Sequence, residues 1–316
     1  MSHLTGVAFF APPPTEPHDE AASWLAAWTG AEARARIRAH PRLREAMHSS
    51  AEGIVALHDR NPLLNRILND RGRTVFGFFV LYLDATSDAT GAGLTAARMA
   101  ALCQETGLCS RGRAKALLAL MRWGGYLEPA AGRGDRRERP LAPTERMREL
   151  FLTRWRVQFT ALRALGGTAD TILARLDEPG FTAQLAVRFG AAYRAGYRVL
   201  DHAPMVAPYC ERDGGMIVLF ALLSSAALGG RAPTATELAR RFTLSRTHTL
   251  QILRDAEIAG LVVRAGIVDG GVPLTGGPGF ALSPEGWRAV EAFFVAAFAL
   301  FECCAAWALA DQAVPG

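Results

Sequence analysis

The feature that limits this chain most is an internal repeat, because two stretches carrying the same ordered signals must build two similar units. Leu57 to Gly72, LHDRNPLLNRILNDRG, aligns with Val199 to Gly214, VLDHAPMVAPYCERDG. Asp59 falls on Asp201, Pro62 on Pro204 and Gly72 on Gly214. An apolar helix-length run follows each stretch, TVFGFFVLYLD from Thr74 and MIVLFALLSSAAL from Met216. Then come Leu94-Thr95 and Pro233-Thr234, at a slightly smaller offset, each opening a short helix. Thr234 and Glu237 stand at capping-box spacing, where hydroxyl and carboxylate each satisfy a free amide at a helix start.

The closest agreement comes next. Ser110-Arg111 and Ser245-Arg246 open two helices that run in step, at one constant offset, to Gly125-Tyr126 and Gly260-Leu261. Within them Ala114, Leu117, Leu118 and Met121 match Thr249, Ile252, Leu253 and Ala256, a spacing that forms one helical stripe. Each copy thus predicts a helix, a short helix, a tight turn, an amphipathic helix ending at Gly, and a Gly-rich segment between apolar residues. That order is a winged helix-turn-helix. Long helices are expected after each wing, from Thr144 to about Arg175 and from Ser283 to about Asp311. Ser283 with Pro284 is a good helix start, a capping hydroxyl ahead of a proline whose missing amide costs nothing there.

With these residues in view, the chain resembles the multiple-antibiotic-resistance-regulator (MarR) family of transcription factors. The first copy carries a wing signature, Asp135-Arg136-Arg137, followed by Pro143-Thr144-Glu145. The second has Leu282-Ser283-Pro284-Glu285-Gly286 in the matching place but lacks the Asp-x-Arg, its wing offering only Arg264 and Asp269. The resemblance covers roughly residues 57–174 and 199–310. It implies a DNA-binding winged helix whose terminal helices form a dimer interface and whose wing sets an arginine against the minor groove. Family members are normally homodimers, so the implied architecture here is a single chain acting as a pseudo-dimer. The expected fold is mainly α with small β wings, two winged units packed through long terminal helices. The expected divisions are an N-terminal arm (1–20), a first repeat with its interface helices (21–178) and a second (179–316).

The chemistry expected of DNA binding follows from helix geometry. A helix fits the major groove, and side chains near its N-terminus reach base edges. In the first copy those are Ser110, Arg111, Arg113 and Lys115; in the second, Ser245, Arg246, Thr247, His248 and Gln251. The first wing adds Arg133, Arg136, Arg137 and Arg139, suited to a narrow minor groove with its enhanced negative potential. The two sets differ, so an asymmetric DNA site is expected, where a homodimer would read a palindrome. Each feature has a plainer reading: a Ser-Arg helix start is often only a cap on a solvated helix, and an arginine run only a solvated loop. The resemblance also implies a ligand cleft, with Trp155, Phe159, Tyr193 and Tyr197 as candidate liners for a small-molecule effector. Aromatics at helical spacing are more often core than pocket.

Composition narrows the remaining classes. Half of the 316 residues are hydrophobic and 21% charged, which allows a sizeable core and excludes a disordered or fibrous chain. The formal charge is +5, and the excess sits before residue 179, where 24 Lys+Arg face 19 Asp+Glu. Five cysteines, odd in number and without a C-x-x-C, argue against a disulfide framework or zinc site, and a cytoplasmic location is expected. Cys103 and Cys109 flank the first turn, where a redox switch is weighed against buried structural thiols. No G-x-S-x-G, H-E-x-x-H or P-loop is present, so neither an enzyme nor a cofactor is expected. Ala292 to Ala310 is nearly membrane-spanning in length, but Glu302 at its middle favours a buried packing helix over a membrane anchor. The rival to DNA binding is a winged-helix adaptor that binds another protein or a small ligand and has lost DNA.

Overall fold

A computed structural model describes residues 17–86, 93–130, 140–228, 230–269 and 272–311. The first half runs α1 (Pro17–Thr29), α2 (Ala31–Arg38), α3 (Leu43–His58), α4 (Pro62–Ile67), α5 (Arg71–Ala85), α6 (Ala96–Glu105), α7 (Arg111–Trp123), β1 (Leu127–Pro129), β2 (Leu141–Pro143), α8 (Glu145–Leu162) and α9 (Ala169–Arg175). The second runs α10 (Pro179–Arg194), α11 (Ala207–Cys210), α12 (Gly215–Leu228), β3 (Gly230–Arg231), α13 (Ala235–Phe242), α14 (Arg246–Ile258), β4 (Val262–Asp269), β5 (Val272–Leu282) and α15 (Pro284–Asp311). The protein is mainly helical, with two small antiparallel sheets, β1-β2 and β3-β4-β5.

The repeat extends to individual hydrogen bonds. Thr95 Oγ1 accepts from the amide of Arg98 (3.1 Å) and Thr234 Oγ1 from that of Glu237 (3.3 Å), capping α6 and α13. The predicted capping box at Thr234 is complete, since Glu237 accepts the Thr234 amide at 2.8 Å. Ser110 and Ser245 cap α7 and α14 through the amides of Arg113 (3.3 Å) and His248 (3.1 Å). Both helices end on a glycine in the left-handed region, Gly125 (φ 72°) and Gly260 (φ 74°), where a Cβ would be strained. The amide of Leu141 donates to Leu94 (2.8 Å) and that of Phe280 to Pro233 (3.0 Å), so donor and acceptor both move by the displacement that carries Thr95 onto Thr234.

The two halves are interlocked. α3 of the first half packs on α12 of the second, and α10 of the second packs on α5 of the first. Within each half, α3 packs on α8 and α10 on α15. At the α5/α10 crossing Gly190 lies against the Tyr82 ring, and Phe78 stacks on Phe189 with centroids 5.0 Å apart. Short links join the two halves around α4 and α11. The amide of Gly214 donates to Asn69 (3.0 Å), that of Arg60 to Arg241 (2.9 Å), and Arg73 pairs with Asp213 (3.1 Å).

Two expectations about long helices fare differently. α15 is continuous to Asp311. By contrast, the helix expected from Thr144 to about Arg175 stops at Leu162, followed by one 3-10 turn and Gly166-Gly167 before α9. Two consecutive glycines lower helix propensity enough to explain the break. Among the described residues α15 is the one helix long and apolar enough to cross a membrane, and 67% of its most apolar window is buried inside the protein. Its contacts include α1, α2 and α10. On the α1 side, Trp24 stacks on Trp307 (6.0 Å), whose indole N–H donates to Glu20 (2.8 Å). α1 begins at Pro17, so part of the stretch expected as an arm is helix.

Candidate nucleic-acid interface and central cavity

The N-terminal ends of α7 and α14 face solvent. On α7, Ser110, Arg111, Arg113 and Lys115 are exposed, as are Ser245, Arg246, Thr247 and Gln251 on α14, while the stripes Ala114/Leu118/Met121 and Thr249/Ile252/Leu253/Ala256 are buried. The local reason is the same in both: a serine cap fixes the start, and the apolar stripe fixes which face turns outward. The side chains differ in freedom. Arg111 Nε donates to Gln104 Oε1 (2.5 Å) and Gln251 to Asp255 (2.8 Å), which in turn pairs with Arg212 (2.5 Å). His248 is half-buried, its Nε2–H donating to the Asp213 carbonyl (2.8 Å), so its ring turns back toward the protein. Arg264 pairs with Glu257 (3.3 Å) and covers the Phe280 ring (4.1 Å), so this arginine, expected in the second wing, lies along the protein. The first-wing residues Arg133, Arg136, Arg137 and Arg139 lie outside the described residues.

Between the halves lies a cavity of about 140 Å³, walled by residues from α3, α5, α8, α10, α12 and α15. Two of the four candidate liners reach it, Trp155 and Tyr193. The other two are used elsewhere: Phe159 is fully buried against Phe301 (5.7 Å), and the Tyr197 hydroxyl donates to the Ala296 carbonyl (2.9 Å). The walls are largely aromatic, with Phe78, Phe189, Phe220 and Phe294 among them, and polar side chains come from α3 (Ser50), α5 (Arg71 and Thr74), α10 (Tyr193) and α8. Arg154 and Gln158 line it there, Gln158 accepting from Ser50 (2.8 Å). An open groove of about 610 Å³ lies next to the cavity, and Arg71 and Tyr193 line both.

A buried polar chain leaves this cavity toward the second half. Asn65 Nδ2 donates to the carbonyls of His58 (2.9 Å) and Phe242 (2.9 Å), so its Oδ1 is the acceptor for His58 Nδ1–H (2.8 Å). That tautomer leaves Nε2 as the acceptor for Arg154 Nη1 (3.3 Å). Burial and the Arg154 charge push His58 down to about 3, keeping the ring neutral, and burial lowers Arg154 to about 10. Toward the first half, Arg71 donates to the Tyr193 hydroxyl (2.6 Å), and Arg198 lies over the Tyr193 ring (3.9 Å). Arg198 Nη2 donates to the Thr106 carbonyl (2.8 Å). Thr106 and Phe242 hold the same place in the two turns, each one residue before a positive φ, at Gly107 (67°) and Thr243 (58°).

Sequence reasoning missed Arg154, Gln158, His58 and Asn65. A signal was available. On α8 the inward stripe Met147, Phe151, Trp155 and Phe159 also contains Arg154 and Gln158, two polar side chains where core is expected. Comparisons of the chain with family models, with curated proteins and with solved structures gave no significant match.

Proposed function

We propose that the chain is a sequence-specific transcriptional regulator that binds double-stranded DNA through two unequal winged helix-turn-helix units, acting as a pseudo-dimer in one polypeptide. The carrying observation is the pair of serine-capped helices, α7 and α14, with exposed Arg111, Arg113 and Lys115 on one and Arg246, Thr247 and Gln251 on the other. Arginine and lysine pair with guanine acceptors, glutamine with adenine, and a helix N-terminus favours phosphate. In this reading the central cavity is an effector site, and the chain performs no catalytic step.

Sequences selected from a random DNA pool should contain two dissimilar half-sites; recovery of perfect palindromes counts against the reading. Arg113→Ala should weaken binding and relax preference at about one base pair of the first half-site, at a cost of roughly 1–3 kcal/mol. With about five phosphates neutralised, affinity should fall by about 4 to 5 log units per tenfold rise in salt. The adaptor reading is favoured by one observation, that His248 and Arg264 of the second unit lie against the protein. Absence of DNA binding at low salt would decide for it.

A further inference from the structure

The outward faces of α7 and α14 are built differently. Opposite the buried stripe of α14 stand Thr247, Gln251 and Arg254, all exposed and spaced as one helical face. In α7 the residues in step with them are Gly112, Ala116 and Ala119, also exposed, and none has a side chain that can hydrogen-bond. Arg111, Arg113 and Lys115 flank that smooth face instead of occupying it.

Gln251 is not free to turn. Its Nε2–H donates to Asp255 Oδ1 (2.8 Å), and Arg212 Nη1 donates to Asp255 Oδ2 (2.5 Å). Arg212 holds the Asp255 carboxyl below its usual range, so this group stays ionised and can only accept. The amide nitrogen of Gln251 must therefore face Asp255, which fixes the two ends of the amide. One amide hydrogen is used there; the carbonyl oxygen and the second N–H remain as an acceptor and a donor side by side. Adenine offers their complement in the major groove, N6 donating and N7 accepting. Arg212 belongs to the link between α11 and α12 and lies over the Tyr209 ring (6.0 Å), so the clamp is anchored outside α14. The first copy has no such clamp. Asp255 is in step with Leu120, and at the offset that carries Asp59 onto Asp201, Arg212 falls on Asp70.

Arg254 is exposed and makes no ion pair among the described residues. It lies three residues beyond Gln251, about 4.5 Å further along the helix, close to the step of about 3.4 Å between base pairs. Its guanidinium suits O6 and N7 of guanine. We propose that Arg212 and Asp255 orient Gln251 for an adenine, and that Arg254 takes a guanine at the neighbouring base pair, so that one half-site alone carries an adenine–guanine step. Arg212 and Asp255 are positioning residues, since neither meets a base. This assignment rests on the DNA-binding reading and adds to it which bases the second unit selects.

The full chain is used to select duplexes from a random pool, and the selected site is then titrated. An adenine–guanine step is expected in one half-site and not at the matching place in the other. Changing the adenine pair should cost the unaltered chain about tenfold in affinity, but Gln251→Ala or Asp255→Asn less than about twofold, because asparagine also donates and lets the amide turn. Asp255→Ser serves if that variant does not fold. Affinity of both variants for a duplex of unrelated sequence should not fall, which separates lost positioning from a damaged helix. Arg254→Ala should lose the guanine preference alone; a salt slope shallower by about one with that preference unchanged marks a phosphate contact. The step missing or present in both half-sites, a base other than adenine answering to Gln251, an unchanged adenine preference in Asp255→Asn, or the phosphate signature at Arg254 each overturns the proposal and leaves a DNA-binding chain. No binding to any duplex at low salt removes the regulator reading and the proposal together.

Discussion

Glu302 and His58 set opposite pH slopes. The Glu302 carboxyl lies against the Gly167-Thr168 turn and is raised by burial to about 7. In the unfolded chain it ionises near its ordinary 4.5, so between that pH and about 7 the folded state holds the extra proton. Stability therefore falls as pH rises through this window. Glu302→Gln should remove that slope and gain about 3 kcal/mol at pH values above it, read from urea midpoints across pH. His58 acts the other way. Its folded value near 3 lies below the ordinary 6.5, so the unfolded state binds the proton first and stability is lost as pH falls below about 6.5. The glutamine variant should therefore keep the acid-side loss and lose only the basic-side one.

At the level of elements, the caps and close crossings carry the local stability. Thr234→Ala removes a complete capping box from α13 and should cost about 1 kcal/mol in chemical denaturation. Gly190→Ala sets a Cβ 2.2 Å from the Tyr82 ring at the α5/α10 crossing, and overpacking of this kind should cost roughly 1–3 kcal/mol. The caps were legible in the sequence because they are local: Ser110, Ser245, Thr234 and the terminal glycines act on their own helices. So was the apolar stripe of each of α7 and α14. The break after Leu162 was hidden because the apolar pattern continues into Ile172 and Leu173, and Gly166-Gly167 were read through. Arg154, His58 and Asn65 were not legible as a group. They meet only through packing between residues 96 positions apart, and no spacing rule brings a helix end, a short helix and a long helix together.

At the scale of the molecule, the exchange of α3 and α10 between the halves means that neither half completes its own core. Residues 1–178 and 179–316, expressed separately, should each lack a cooperative thermal transition, and their co-expression should restore one. The repeated order of elements was readable from the chain, but this exchange was not, since similarity between copies says nothing of which copy's helix covers which neighbour. In a symmetric pair every inherited change is entered twice, once in each subunit. Here α7 and α14 are separate text, so under the regulator reading proposed above one codon can alter one half of a binding preference while the other stays as it was. Such a chain can drift toward a new target in half-steps, retaining partial fidelity to the old one throughout.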